Sequence, residues 1–327
     1  MKRREFIILL GGAVMASPPA VFAQPDHMRR IGVLVGLAED DPETKARFAK
    51  FRQELERLGW SEGRNVGIDY RFAPAGAQVQ DRAQELIALQ PEVILAHTTP
   101  VAAALQRETR TTPIVFVNVS DPIGAGFIVS LARPGGNLTG LLQYEAGIFG
   151  KWLAMLKEIA PRIARVALLA NPKLPGYEYL VRSAEAAAPS LAIKLVRAPV
   201  ANAADIERSI ESFARVPDRG LVLPPESTTI LHRDLIIALT AQHRLPAVYS
   251  ARFWVASGGL MSYGTDQIDL FEHAASYVDR ILRGAIPADL PVQAPTKYET
   301  ILNLRTAKAL GLTMPPSMLV RADEVIE

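Results

Sequence analysis

The chain has 327 residues, 36 Lys and Arg against 34 Asp and Glu, 49% hydrophobic residues and no cysteine. Without cysteine there is no disulfide framework, no thiol nucleophile, no cysteine-held zinc or iron–sulfur centre and no lipid-carrying residue behind a leader. The near-neutral balance gives no reason to expect nucleic acid or an anionic membrane surface as partner.

The first segment, MKRREFIILLGGAVMASPPAVFAQPD, has a basic start at Lys2, Arg3 and Arg4 and an apolar or small run from Phe6 to Ala16. Small residues at Val21 and Ala23 then suit cleavage before Gln24, so residues 1–23 are predicted to be an export signal too short to span a bilayer comfortably. Arg3-Arg4-Glu5-Phe6-Ile7 also resembles a twin-arginine signal, although Lys2 stands where Ser or Thr is usual, which keeps the ordinary secretory route open. Cleavage removes three basic residues and Glu5 and leaves equal numbers of each charge. The mature length suits two domains of roughly 100–200 residues each. An exported chain with neither anchor nor later membrane segment is expected in the periplasm.

Beyond the leader, apolar runs and helical periodicities alternate. RRIGVLVGL (29–37) predicts a buried strand and Pro42–Leu58 a helix. NVGIDYRFA (65–73) predicts a strand, 77–90 a helix, EVILAH a third strand, 100–109 a helix and TPIVFVNV (112–119) a fourth strand. A short helix near 125–132 and the strand NLTGLLQY (137–144) close this half. The second half repeats the scheme: helix 147–160, strand 164–171, a helix after Pro175, strand 191–197, helix 203–214 and strand 220–224. A helix over 227–243, strand 246–250, a short helix 251–257 and strand 259–264 follow. A long helix (266–283) and a strand near 298–304 remain, placed to return to each lobe in turn. Such alternation implies an α/β protein with parallel sheets covered on both faces.

In open α/β sheets, ligands bind beyond the carboxyl ends of the strands. Thr98, Thr99, Ser120 and Asp121 occupy those ends in one half, and Asn171, Glu226 and Ser250 in the other. In HTTP (97–100), Thr99 has two readings: an N-cap ahead of Pro100, or part of an anion site at a helix start. Asp121 is likewise either a cap ahead of Pro122 or a counter-charge for a ligand ammonium. Of the aromatics Tyr144, Trp152, Tyr177, Tyr249, Phe253 and Tyr263, which could stack on a planar ligand, Tyr177 and Tyr263 are expected nearest the cleft.

Catalytic and metal patterns are missing from the sequence. His27, His97, His232, His243 and His273 have no ligand spacing. GLMSYG puts Leu260 where a nucleophile elbow needs glycine, and GAGFIV lacks the third glycine of a dinucleotide fingerprint. No cofactor and no metal site are expected.

Taken together, FRQELERLGWSEGRNVGIDYRFA, SDPIGAGFIVSLARPGGNLTGL, GGLMSYG and the C-terminal run from YVDRILRGAIP to RADEVIE resemble the ABC-transporter substrate-binding family, whose better-understood members bind tryptophan and related aromatic amino acids. The resemblance covers nearly the whole mature chain. It implies a type I periplasmic binding-protein (Venus-flytrap) fold of two Rossmann-like lobes joined by three crossovers. The N-terminal lobe would comprise 29–145 plus 265–297, and the C-terminal lobe 146–264 plus 298–327. It also implies first-lobe contacts at Thr98, Thr99, Ser120 and Asp121 and second-lobe contacts at Asn171 and Glu226. Similar proteins often carry glycine where His97, Thr98 or Ser120 stands here. The expected protein is a monomeric periplasmic receptor that holds a small organic solute between its lobes and delivers it to ABC permease subunits with their ATPase. A periplasmic enzyme on the same fold and a sensory receptor for a membrane kinase are the alternatives.

Overall fold

A computed structural model describes residues 28–74, 78–145, 147–173 and 176–327; the predicted signal peptide lies outside the described residues. The first lobe runs β1 (Arg29–Val35), α1 (Pro42–Arg57), β2 (Val66–Phe72), α2 (Val79–Ala88), β3 (Val93–His97), α3 (Thr99–Glu108), β4 (Ile114–Val119) and β5 (Leu138–Leu142). The second runs α4 (Ile148–Ile159), β6 (Arg165–Ala170), α5 (Tyr177–Ala187), β7 (Lys194–Pro199), α6 (Ala203–Phe213), β8 (Arg219–Leu223), α7 (Ser227–Leu231), α8 (Arg233–Gln242), β9 (Ala247–Tyr249), α9 (Arg252–Ala256) and β10 (Met261–Thr265). The chain ends with α10 (Gln267–Leu282), β11 (Tyr298–Asn303), α11 (Leu304–Ala309), α12 (Pro316–Arg321) and β12 (Glu324–Ile326).

The first sheet is parallel throughout, in the order β2-β1-β3-β4-β5. Its central strands are apolar on both faces because helices cover both. One core joins Phe48 and Phe51 of α1 with Phe271 and Val278 of α10, and the opposite core holds Leu86, Ala104 and Leu105 of α2 and α3. The second sheet has seven strands in the order β12-β11-β10-β9-β8-β6-β7. It is mixed, because β11 enters antiparallel to β10 while β12 runs parallel to β11.

Three crossovers join the sheets and are tied to one another. Thr265 Oγ1 donates to the Gln143 carbonyl at 2.6 Å, the Glu145 amide donates to the Tyr298 hydroxyl at 2.9 Å, and the Asp266 amide donates to the Lys297 carbonyl at 3.0 Å. Asp266 also caps α10 and pairs with Lys297 Nζ at 2.5 Å.

Two predicted helices differ. Residues 122–126 form a turn, and no helix follows over 125–132. Asp121 and Pro122 do open one helical turn, with Ala125 N–H on the Asp121 carbonyl, but Gly126 at φ +71° ends it. The predicted helix over 227–243 breaks at His232 (φ −103°, ψ 26°) into α7 and α8. The break lets Ile230 line the interlobe space while Ile236 and Leu239 enter the core.

Candidate functional site

The carboxyl ends of both sheets face one cleft of about 380 Å³. From the first lobe it is lined by the segments after β1, β3 and β4, from the second by those after β6, β8 and β9, and at the back by crossover residues Gln143, Gly264 and Thr265. Of the residues singled out from sequence, Thr98, Thr99, Ser120, Asn171, Tyr177, Glu226 and Ser250 line this cleft together.

On the first wall, α3 begins one residue earlier than expected. Thr98, not Thr99, is the N-cap, and its carbonyl accepts the Ala102 amide at 3.1 Å. Thr98 makes no side-chain cap, so the N–H groups of Thr99 and Val101 keep no intrahelical partner, at a helix start that lines the cleft. Thr98 sits at φ 88°, ψ 156°, a region almost confined to glycine and strained for a β-branched residue. Replacing Thr98 with Gly is therefore expected to stabilise the ligand-free protein by about 1 kcal/mol, strain relief exceeding the entropy that glycine loses. Urea unfolding of the variant measures it.

The next strand supplies a polar cluster. The β4–β5 register shifts between Val117 and Val119, and Asn118 at φ 61° occupies the bulge. A bulge re-aims a side chain out of strand alternation. Asn118 Nδ2 accordingly reaches Gln267 Oε1 at 2.7 Å and His97 Nε2 at 3.1 Å. His97 is 3% exposed, and burial together with the nearby Arg47 charge pushes its pKa down to about 3. The unfolded chain, with an ordinary histidine, takes up a proton near pH 6.5 that the folded chain refuses. Stability is thus complete above about pH 6.5 and falls as the pH drops toward 3; roughly 2 kcal/mol should be lost between pH 7 and pH 5. Denaturant titrations at the two pH values should show this slope, and His97→Gln should flatten it.

The second wall presents a carboxylate. Glu226 is the N-cap of α7, its two oxygens accepting the Thr228 and Thr229 amides at 2.8 Å. Desolvation nevertheless outweighs these bonds and holds its pKa above the ordinary glutamate value. Asn171 donates to Thr228 Oγ1 at 2.9 Å and accepts from Lys173 N–H at 3.0 Å, tying the segments after β6 and β8 together. The lining also includes the apolar Tyr144, Ile148, Trp152, Tyr177 and Leu180, mostly from α4 and α5 of the second lobe. Tyr144 and Trp152 pack edge to face with Phe149. Among the described residues the buried Ser250 Oγ has no hydrogen-bond partner.

Two expected contacts turn away. Asp121 Oδ1 accepts the Gly124 amide at 2.8 Å, so its carboxylate caps the 122–125 turn and does not line the cleft. Asparagine caps about as well as aspartate, so Asp121→Asn is expected to change stability and solute affinity by under about 0.5 kcal/mol, measured by melting and calorimetry. Tyr263 lines a separate pocket of about 210 Å³ on the second lobe, stacked on Tyr298 with Lys151 over its ring. Tyr249 is also absent from the cleft lining; its hydroxyl is buried against Thr240 Oγ1. Arg47, Asn118 and Gln267, which sequence reasoning missed, do line the cleft, as does His97, which carried no ligand spacing.

Two lobes with the carboxyl ends of their sheets opposed across one cleft define a solute-binding protein. The chain belongs to the ABC transporter substrate binding protein family, whose model matches residues 30–326. It is 26% identical over 263 residues to a tyrosine-binding protein of Clostridioides difficile, covering 80% of this chain and 75% of that one. A conserved domain protein from Vibrio cholerae is 28% identical with a TM-score of 0.84, over 91% of this chain and 99% of that one. A Streptococcus pneumoniae ABC domain solved in complex with L-Trp is 25% identical, with the same TM-score and coverage. The fold is that of the type I periplasmic binding proteins.

Proposed function

We propose that the mature chain is an exported receptor that closes on a small amino-acid-like solute and passes it unchanged to the permease and ATPase of an ABC importer. The observation that carries this reading is the opposition of charges across the cleft. A helix start with uncapped N–H groups stands on one wall and the Glu226 carboxylate on the other, with Tyr144, Trp152 and Tyr177 also in the lining. A zwitterion with an aromatic body would place its carboxylate at Thr98, Thr99 and Val101, its ammonium at Glu226 and its ring near Tyr144 and Tyr177. Ser120, Asn171 and Ser250 would complete the contacts. The relatives named for tyrosine and solved with L-Trp support the same class.

Residues 29–145 plus 265–297 and residues 146–264 plus 298–327 would be the moving lobes, and the three tied crossovers the hinge. Among the described residues no helix is long and apolar enough to cross a membrane. The mature receptor would be a periplasmic monomer released by cleavage after Ala23. Mass spectrometry of solute released by denaturing the purified protein tests the reading. An amino acid or related carboxylate at near-stoichiometric amount supports it; a sugar or nucleotide would overturn the ligand class.

A further inference from the structure

We propose that Arg47, which lines the cleft from α1, is the charge partner of a ligand carboxylate. The inference rests on the receptor reading and adds the residue that selects for an acid. Arg47 is 6% exposed, yet it lines the cleft, and among the described residues its Nε has no hydrogen-bond partner. No ion pair within 4 Å engages it among the described residues, and Glu43 and Asp41 act on it only at longer range. Asp41 is already committed, accepting both the amide and the hydroxyl of Thr44 at 2.8 Å. By contrast, Arg233, the other guanidinium of the lining, lies over the Phe253 ring at 5.4 Å and pairs with Asp234 at 3.5 Å. A buried guanidinium left without an anion is costly, and an arriving carboxylate removes that cost.

Asn118 Nδ2 lies 3.1 Å from His97 Nε2, and His97 Nδ1 is buried without a partner among the described residues. Arg47 is close enough to His97 to depress its protonation. The guanidinium shares the cleft lining with His97 and with the helix start at Thr99 and Val101. Asp41 and Glu43 on the same lining disfavour a dianion. Those two acids make a singly charged carboxylate the fitting ligand group and a phosphate a poor one.

The test uses the mature full chain as wild type, Arg47→Met and Arg47→Lys, with L-tyrosine and L-tryptophan against their decarboxylated amines, tyramine and tryptamine. Without ligand, Arg47→Met should melt higher than wild type, because an unpaired buried charge is gone. In calorimetry it should lose about 100-fold in affinity for the amino acids, with Arg47→Lys intermediate. The amines should bind wild type about 100-fold more weakly than the acids and be indifferent to the substitution. A lower melting temperature for ligand-free Arg47→Met would make the charge structural and overturn the proposal, as would amines binding wild type as tightly as acids. A wild-type chain that binds none of the four defeats the amino-acid reading of the cleft, while the melting comparison still judges Arg47.

Discussion

Glu226→Gln is expected to weaken capture of an aminated solute by roughly 2–5 kcal/mol, because the ligand ammonium would then be buried without its counter-charge. The loss of stability should be smaller, about 1 kcal/mol. Glutamate caps both Thr228 and Thr229 amides through two oxygens, and the Gln carbonyl can keep only one. Binding should also depend on pH in a defined direction. Burial raises the Glu226 pKa, so affinity is full when the carboxylate is ionised and falls on acidification, beginning above the ordinary glutamate range. The Gln variant should lose that dependence. Calorimetry with L-tyrosine or L-tryptophan across pH, beside thermal melts, separates the two losses; unchanged affinity in Glu226→Gln would leave the second wall without a charge role.

Gly264→Ala is expected to lower stability by about 3 kcal/mol or more. A Cβ at this position would stand 1.8 Å from the Ser250 carbonyl oxygen and 2.8 Å from its carbonyl carbon. Both are backbone atoms and cannot rotate aside as a flexible side-chain tip could. Relief would require moving β10 away from the segment after β9, at the back of the cleft where Thr265 bonds Gln143. Gly136→Ala is the matched control, since a Cβ there meets nothing within 4 Å. Denaturant unfolding of the two variants should show a large loss in one and almost none in the other.

The strands were legible because strands buried on both faces leave continuous apolar runs such as IVFVNV and VILAH. The strand ends then located the cleft. What was hidden depends on facts that no local pattern carries. Asp-Pro at 121–122 signals a helix start, and only the positive φ at Gly126 shows that the turn stops. The second-sheet β12 was missed because three residues pairing with β11 are too short to show a period. Arg47 comes from the middle of a helix, not from a strand end. Its one signal is a charge set among Thr44, Phe48, Phe51 and Leu55, the buried stripe of α1. His97 carried no ligand spacing, and its contact with Asn118 depends on the bulge between Val117 and Val119. Asp121 and Glu226 are alike in sequence as acids just past strand ends, and packing alone turns one to a surface turn and the other into the cleft.

Small-angle X-ray scattering of the mature protein, before and after addition of the solute recovered from it, tests the central claim most directly. A two-lobed receptor should become more compact on addition, by hinge motion at the three crossovers, and the solute should be recovered chemically unchanged after prolonged incubation. An unaltered scattering profile at saturating solute, or steady conversion of the solute to product, would contradict the account.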